Sequence, residues 1–355
     1  MEEFKKYLKQ LNISFLENEP LAKYTTWKVG GAADLFLEVK LADQIQDLIK
    51  KLNDLNIPYY ILGSGSNVLI SDQGFRGVII KNSISGIEIY NEEQIDSQPK
   101  EDVKDVRLSQ INKQEYYSFE DLDYDESQEP KVKVAIYSGT LLSLAINNLI
   151  SNKVTGLQWF AGIPGTIGGA VFNNIHGGSH FFSEYLTGVD IIDEFGDIKY
   201  LSHDEMGFGY DHSKLQSDHK FILKAYFQLY KGDAKRAQET AIAWARAKKK
   251  KQPYNSAGCS FKNIDKQQMS DLNIPSNSWG YIIDNILKLK GTKKGQAMIS
   301  NSHAAFIETF PGAVAEDVMA LLELIHQKAS ETINITPKTE IFFVGFPNDR
   351  IKKFQ

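Results

Sequence analysis

Apolar positions recur at helical spacing in several stretches of the chain. The stretch "LADQIQDLIKKLNDLN", which begins at Leu41, carries apolar residues three and four positions apart, which predicts an amphipathic helix. The stretch "AEDVMALLELIHQKASETIN" carries a similar stripe at Val318, Leu321, Leu322 and Ile325, which is typical of a helix packed on a core. Further helices are predicted at the start of the chain, in "TLLSLAINNLISNK", and from about Ala234 to Lys250.

Short apolar runs bounded by glycine or polar residues predict strands between these helices. Examples are "YYILGSGSNVLIS", "GVIIKNSISGIEIY", "VKVAIYSG" and "KTEIFFVGF". The stretch "LTGVDIIDEFGDIKYL" predicts a hairpin that turns at Phe195, Gly196 and Asp197. Strands and helices mix without strict alternation and no internal repeat is visible. The predicted fold class is therefore α+β.

Composition bounds the class of protein. At 355 residues and 42% hydrophobic content, the chain is long enough for two or three packed domains. Its single cysteine, Cys259, excludes an intrachain disulfide and any multi-cysteine metal site, so we predict no metal. The polar start "MEEFKKYLKQLNISFLENEP" and the lack of a membrane-length apolar run predict a cytoplasmic protein with no membrane insertion.

Charge is unevenly distributed. Residues 91–130 contain 13 Asp and Glu against 4 Lys and Arg, a balance of −9 within a total of −5, which leaves +4 elsewhere. The stretch is also poor in aliphatic residues, and we interpret it as a solvated or disordered acidic insertion between strands. The mildly basic remainder suits anionic small ligands and is too weak to indicate nucleic-acid binding.

Two glycine-rich loops are candidates for holding a pyrophosphate. Neither "LGSGSNVLI" nor "AGIPGTIGGA" fits a P-loop or the dinucleotide fingerprint, and an ordinary hairpin explains either one nearly as well. Together they supply glycines that permit close approach of a ligand, with backbone N–H groups and side-chain donors that suit phosphate. The candidate residues are Gly63, Ser64, Gly65, Ser66, Asn67, Gly162, Gly165, Thr166, Gly168 and Gly169.

With these loops in place, the chain resembles the UDP-N-acetylenolpyruvoylglucosamine reductase family. The resemblance rests on "TTWKVGGAADLFLEV", "GLQWFAGIPGTIGGAVFNN", "FGYDHS", "SAGCSFKN" and "TEIFFVG", in the family's order. It implies a vanillyl-alcohol-oxidase-like FAD-binding domain of two subdomains over residues 1–237, with the acidic insertion at about 91–130. A smaller α+β substrate-binding domain would follow over 238–336, then a C-terminal strand and tail over 337–355. The lack of a long tyrosine-bearing insertion is similar to the family's shorter subtype.

The resemblance also implies a reaction. NADPH would reduce non-covalently bound FAD, and flavin N5 would pass a hydride to UDP-N-acetylglucosamine enolpyruvate to give UDP-N-acetylmuramate for peptidoglycan. The partner would be a UDP-sugar, with no nucleic acid and no obligate protein partner. Two other interpretations remain open. One is a different FAD-dependent oxidoreductase on the same scaffold, and the other is a flavin-binding relative without reductase activity.

Cys259 and Glu340 are the candidate catalytic residues that the resemblance implies. Cys259 stands where family members usually carry the proton-donating serine of AGSxFKN, and a thiol of pKa ~8.5 is a better acid than an alcohol. Glu340, in "TEIFFVG", matches the glutamate that assists protonation. The alternatives are a buried space-filling cysteine and an exposed carboxylate at a strand start.

Lys251 and Asn263 match positions that hold the substrate diphosphate. For Lys251 a structural role remains open, because it ends the run Lys248–Lys251 and a cation there suits the negative end of a helix.

Asp211 is the departure from the family, which carries an arginine in GYRxS to stabilise the enolate oxygen. A carboxylate cannot inherit that role, so we expect Asp211 to be ion-paired or out of range, with Lys262 or Arg350 as substitutes. His176 and His180, in "IHGGSHF", either reach the flavin edge or lie in a surface loop, which is the favoured interpretation.

Overall fold

The computed structural model describes residues 1–90, 123–218 and 220–354, and these form two compact units. Unit 1 comprises residues 1–12, 38–57 and 80–248, and unit 2 comprises residues 13–37, 58–79 and 249–355. Each unit is therefore assembled from segments far apart in sequence. The acidic residues 91–122 lie outside the described part of the chain, so the expectation that they are solvated stays a prediction.

The described strands and helices follow the predicted mixture of types. The strands, β1 to β16 in chain order, are Leu16–Pro20, Ala32–Val39, Tyr59–Leu62, Val68–Ile70, Phe75–Asn82, Ile87–Tyr90, Lys131–Tyr137, His176–Gly177, His180–Phe181, Leu186–Ile192, Ile198–Ser202, Phe221–Tyr230, Lys293–Lys294, Ala297–Ile299, Ile307–Thr309 and Phe342–Val344. The α-helices, α1 to α10, are Glu2–Gln10, Ala42–Asp54, Leu142–Ser151, Ile167–Asn173, Leu215–Asp218, Ala234–Lys251, Lys266–Asp271, Trp279–Tyr281, Ala315–Ile333 and Asn348–Ile351. A π-helical turn covers Ile282–Ile286, and short 3-10 turns complete the chain.

Unit 1 is built on a five-stranded antiparallel sheet of order β11-β10-β12-β7-β6. Strand β12 lies at its centre with inward side chains at alternate positions, because successive side chains point to opposite faces of a strand. Helices α3 and α4 share one core with this sheet, which also includes Trp159, Phe160 and Trp244. The predicted hairpin is confirmed as β10 and β11, and it turns at Gly196 with a φ of +85°.

Unit 2 holds most of a four-stranded sheet of order β1-β2-β5-β3, a three-stranded sheet β13-β14-β15 and the parallel pair β4-β16. Helix α9 covers the three-stranded sheet with the predicted stripe of Val318, Leu321, Leu322 and Ile325, all fully buried. Its first N–H groups, on Ala315 and Glu316, donate to the Asp72 carboxylate at 2.8 and 2.9 Å. A remote carboxylate thus helps to cap the helix, together with Asp317 in the first turn, which accepts the Val314 N–H at 3.2 Å.

Among the described residues, no helix is long and apolar enough to cross a membrane.

Candidate functional site

The segment that carries Cys259 is held in unit 2 by backbone hydrogen bonds. Ser260 donates its N–H to the Ala305 carbonyl at 2.8 Å, and Glu340 donates its N–H to the Ser260 carbonyl at 3.2 Å. An antiparallel bridge pairs Phe261 with Thr339. The structure therefore brings the segments of Cys259 and Glu340, 81 positions apart in sequence, side by side.

Cys259 is partly exposed, whereas Ser260 and Phe261 on its C-terminal side are buried. Gly258 precedes it with a φ of +62°, a left-handed conformation that favours glycine. A Cβ added at Gly258 would meet no atom of a non-neighbouring residue within 4 Å, so packing does not require glycine there and the backbone conformation does. The partial exposure of Cys259 favours its catalytic interpretation over a space-filling one, because space-filling cysteines are usually fully buried.

The first glycine loop is attached directly to the Glu340 segment. The Asn67 amide donates to the Glu340 carbonyl at 2.9 Å, and Phe342 donates its N–H to the Asn67 carbonyl at 3.1 Å. Gly65 has a φ of +68°, and a Cβ there would lie 2.0 Å from the Tyr24 carbonyl oxygen. Packing alone therefore requires glycine at this position. The Ser64 and Ser66 hydroxyls lie 3.1 Å apart and offer polar groups beside the turn.

Lys251 lies near His303 in unit 2. Its carbonyl accepts a hydrogen bond from the Ser302 hydroxyl at 3.2 Å. The neighbouring His303 accepts the Ala305 N–H at Nδ1, 3.2 Å away. Burial lowers the pKa of His303, and the charges of Lys251 and Lys290 lower the pKa further. Sequence reasoning missed His303 and Lys290, because a lone histidine and one lysine among many carry no local signal.

Asn263, the other predicted diphosphate residue, lies in the Cys259 segment beyond the bridged Phe261 and is partly exposed. Lys262 between them donates its N–H to the Lys338 carbonyl at 2.9 Å. The two predicted diphosphate residues thus belong to the same unit as Cys259 and Glu340.

The second glycine loop lies in unit 1 and leads into α4. The N–H groups of Ile167 and Gly168 donate to the carbonyls of Thr140 and Ser138 at 2.9 and 2.8 Å, and that of Gly169 donates to the Thr166 hydroxyl at 3.3 Å. These three N–H groups are already engaged within the protein. An anion nest at this point of the loop, which the glycine pattern suggested, is therefore not favoured.

Packing requires glycine at some positions of this loop and not at others. A Cβ at Gly162, whose φ is +84°, would lie 2.8 Å from the Cα of Ala245, and one at Gly168 would lie 2.8 Å from the Cβ of Ser138. At Gly165, by contrast, nothing lies within 4 Å of an added Cβ, and at Gly169 only Thr166 does, at 3.5 Å. Gly165 and Gly169 are therefore the positions where the protein leaves space for a ligand to approach its backbone.

Lys248 contacts the start of the second glycine loop. Its Nζ donates to the Ala161 carbonyl at 3.2 Å and lies 5.8 Å from the centre of the Trp244 ring. Burial lowers the pKa of this lysine to about 7. The sequence did offer a signal for the burial of Lys248. Ala241, Trp244 and Lys248 are spaced so that they fall on one face of α6.

Asp211 occupies a tight turn in unit 1, closed by the N–H of Gly209 donating to the His212 carbonyl at 3.0 Å. Its φ is +47°, and its side chain is 11% exposed. The carboxylate lies 3.3 Å from Nδ1 of His176, whose ring stacks on Tyr210. The carboxylate therefore has a histidine partner, and the expectation that Asp211 is ion-paired stays a prediction. His176 is mostly buried too, contrary to the favoured surface-loop interpretation.

Arg350 and Lys262 were expected to substitute for the family arginine, and the structure bears on Arg350. Arg350 donates to Glu316 at 2.6 and 2.8 Å and to Glu323 at 3.1 and 3.2 Å, and hydrogen bonds to Glu316 and Glu323 raise its pKa. A guanidinium engaged by two carboxylates is poorly suited to a substrate carboxylate, so this nomination is not supported. The role of Lys262 as the substitute cation for the substrate carboxylate stays a prediction.

Comparisons with known proteins agree with this arrangement. Residues 250–344 match the family model described as UDP-N-acetylenolpyruvoylglucosamine reductase, C-terminal domain. Two proteins named UDP-N-acetylenolpyruvoylglucosamine reductase are each 32% identical. That of Clostridium novyi (strain NT) aligns over 93% of this chain and 92% of its own length, and that of Chlamydia abortus (strain DSM 27085 / S26/3) over 92% and 94%.

A solved structure shares the fold. The crystal structure of UDP-N-acetylenolpyruvylglucosamine reductase (MurB) from Thermus caldophilus is 25% identical with a TM-score of 0.66, over 94% of this chain and 98% of that one. The predicted α+β class is thereby confirmed, and the fold is that of an oxidoreductase. More particularly, the chain belongs to the UDP-N-acetylenolpyruvoylglucosamine reductase family.

Proposed function

We propose that this chain reduces UDP-N-acetylglucosamine enolpyruvate to UDP-N-acetylmuramate with NADPH and FAD, a step of peptidoglycan precursor synthesis. The observation that carries the proposal is the pairing of the Cys259 and Glu340 segments through Ser260, in a chain that belongs to the reductase family. The substrate is a nucleotide sugar. We further propose that the enzyme acts in the cytoplasm without an obligate protein partner.

FAD binding is assigned to each glycine loop on separate grounds. In the second loop, the open space at Gly165 and Gly169 fits a bulky ligand that lies against the backbone. In the first, the hydroxyls of Ser64 and Ser66 stand beside a turn that already requires glycine at position 65. When bound, FAD supplies the hydride that the terminal carbon of the enolpyruvyl group receives.

Proton delivery is assigned to Cys259. Reduction of the substrate double bond needs a proton at the carbon that carries the carboxylate, and a thiol of pKa ~8.5 can donate it near neutral pH. The Sγ–H bond breaks, the substrate gains a C–H bond, and the thiolate is reprotonated from solvent through its exposed side. Glu340, on the paired segment, is proposed to assist this protonation.

Diphosphate binding is assigned to Lys251 and Asn263. The support for Lys251 is electrostatic. Burial lowers the pKa of His303 and the charge of Lys251 lowers it further, which places the positive charge of Lys251 near this histidine, whereas Lys290 is ion-paired with Asp284 at 2.7 Å. A diphosphate is stabilised by such a charge, as is the end of α6 in the alternative role of Lys251.

Anaerobic titration of the purified holoprotein with NADPH tests the function. We expect the flavin absorbance to bleach with NADPH and to recover on addition of UDP-N-acetylglucosamine enolpyruvate, with UDP-N-acetylmuramate formed. Bleaching without recovery would indicate a flavoprotein of another substrate. A protein that binds FAD and does not react with NADPH would indicate a relative without reductase activity.

A further inference from the structure

A half-buried ionic cluster in unit 1 surrounds His180, which the proposed mechanism does not use. The ring accepts or donates at both nitrogens. Nε2 lies 3.0 Å from Asp123 Oδ1, and Nδ1 lies 3.1 Å from Glu184 Oε2 and 3.0 Å from the Tyr185 hydroxyl. The Ser179 hydroxyl donates to the second oxygen of Asp123. The His180 side chain is only 20% exposed, so the surface-loop interpretation is wrong for this residue.

The imidazole stacks on Trp159 with ring centres 4.6 Å apart and planes inclined by 21°. Tyr124 packs its ring against the edge of Trp159 at 4.8 Å, and the guanidinium of Arg236 lies 3.7 Å from the centre of the Tyr124 ring. Trp159 is thus enclosed by aromatic and cationic side chains and is 1% exposed.

Asp123, Tyr124 and Glu126 belong to the last part of the acidic insertion. Glu126 is buried, and the Gln158 amide donates to it at 2.8 Å and to the Tyr124 hydroxyl at 3.2 Å. The C-terminal end of the insertion is therefore integrated into the core of unit 1. This differs from the expectation that the whole of residues 91–130 is solvated.

Trp159 directly precedes the second glycine loop. Only Phe160 separates it from Ala161, whose carbonyl is held by Lys248. On the other side, Gly177 packs against the backbone of Trp159, since a Cβ there would lie 2.3 Å from the Trp159 carbonyl oxygen. A displacement of Trp159 would therefore shift the start of the loop.

We propose that Asp123 is a positioning residue for the cofactor. It holds His180 against Trp159 and thereby fixes the entry to the Ala161–Ala170 loop. The inference rests on the proposed function in one respect, namely that this loop binds FAD. It assigns to the end of the acidic insertion a part in cofactor binding.

The charge of His180 is consistent with this role. Burial opposes protonation, but hydrogen bonds and Coulombic attraction from Asp123 and Glu184 outweigh it and raise the pKa of His180 to about 9. The ionisable groups that face the ring are Asp123, Glu184 and Tyr185, with Glu126 close by. The pKa of His180 in the folded protein is raised above the usual ~6.5. The stability that protonated His180 gives the folded protein is therefore complete below pH ~6.5 and is lost as the pH rises through 9. Within the described residues, no group of His, Cys, Asp and Glu is arranged to hold a metal ion.

The first experiment compares Asp123→Asn with Asp125→Asn, a matched control whose carboxylate is exposed and bonds Ser127. FAD affinity is measured by titrating apoprotein and following quenching of flavin fluorescence. We expect Asp123→Asn to weaken FAD binding by roughly tenfold or more, the scale of one charge-assisted hydrogen bond, and Asp125→Asn to leave it unchanged. The pH midpoint of FAD release should also fall in Asp123→Asn, since His180 loses one of its two carboxylate partners and keeps only Glu184.

The second experiment uses two deletions closed by the same glycine-serine linker. Removing residues 91–122 keeps Asp123 to Glu126 and should leave FAD affinity within about twofold. Removing residues 91–126 should weaken it at least as much as Asp123→Asn. Equal affinity of the two deletion proteins would overturn the proposal.

NMR titration of histidine-labelled holoprotein decides the case in which a variant fails to fold. A His180 pKa above about 8 supports the ion pair, and one near the ordinary ~6.5 overturns it. The two proposals fail differently. Wild-type protein that binds no FAD contradicts the proposed function, whereas wild-type and Asp123→Asn proteins that bind FAD equally well contradict only the role of Asp123.

Discussion

The Cys259 segment and the second glycine loop are positioned by different means. In unit 2, main-chain hydrogen bonds of Ser260 and Lys262 hold the Cys259 segment. In unit 1, the loop depends on side chains, among them Lys248 at the Ala161 carbonyl and Thr166 at Gly169. We therefore expect side-chain changes at Cys259 to alter chemistry alone, and changes around the loop to alter cofactor binding.

The largest expected effect is at Cys259. Replacement by alanine should slow the transfer from reduced flavin to substrate by roughly two orders of magnitude or more, the usual scale of general acid catalysis, and leave reduction of FAD by NADPH and FAD affinity almost unchanged. Stopped-flow measurement of the two half-reactions checks this. Cys259→Ser is the matched variant and should restore much of the rate, because serine also carries a transferable proton. Equal losses in both half-reactions would indicate a packing role and break the comparison.

The next effect is at Gly165. An added Cβ meets no protein atom within 4 Å, so Gly165→Ala should fold normally and reduce FAD affinity only by contact with the ligand. We expect roughly tenfold weaker binding, in keeping with a steric cost of ~1–3 kcal/mol. Gly209→Ala, where the nearest atom is His212 Cβ at 3.7 Å, is the control and should bind FAD normally. Unchanged affinity in Gly165→Ala would remove the loop from the FAD site.

A smaller effect is expected at Lys248, and it depends on pH. Because burial lowers its pKa to about 7, the stability that the neutral lysine contributes is complete above its ordinary pKa of ~10.4 and is lost as pH falls through 7. The melting temperature of Lys248→Met relative to wild type should therefore be highest below pH 7 and decline as the pH rises. Lys249→Met, at an exposed neighbour, should show no such trend. A pH-independent difference would show that Lys248 is not titrating in this range.

The smallest effect is expected at Asp211. Its carboxylate already faces His176 at 3.3 Å, so Asp211→Asn should change turnover by less than tenfold, well below the loss of a preorganised charge contact. Steady-state kcat and KM measure it, with exposed His212→Gln as the control. A hundredfold loss would make Asp211 part of the chemistry and would require a different account of the turn.

Much of the local structure and part of the candidate site were predictable from the sequence. The stripe from Val318 to Ile325 predicted α9, and Phe195 to Asp197 predicted the turn of the β10-β11 hairpin, because both patterns depend on neighbouring residues. The match of "SAGCSFKN" and "TEIFFVG" selected Cys259 and Glu340, and the structure places their segments together. Family membership followed from the same motifs.

Other features were decided only by tertiary structure. His180 meets Asp123 across 57 positions and Asp211 meets His176 across 35, distances over which hydrophobic periodicity carries no information. Gly65 and Gly165 look alike in sequence, yet one is required by the Tyr24 carbonyl and the other borders open space. The physical reason is the same in each case. A local pattern determines which way a side chain points along its own element, whereas its partner, its burial and hence its charge depend on which distant segment folds against it.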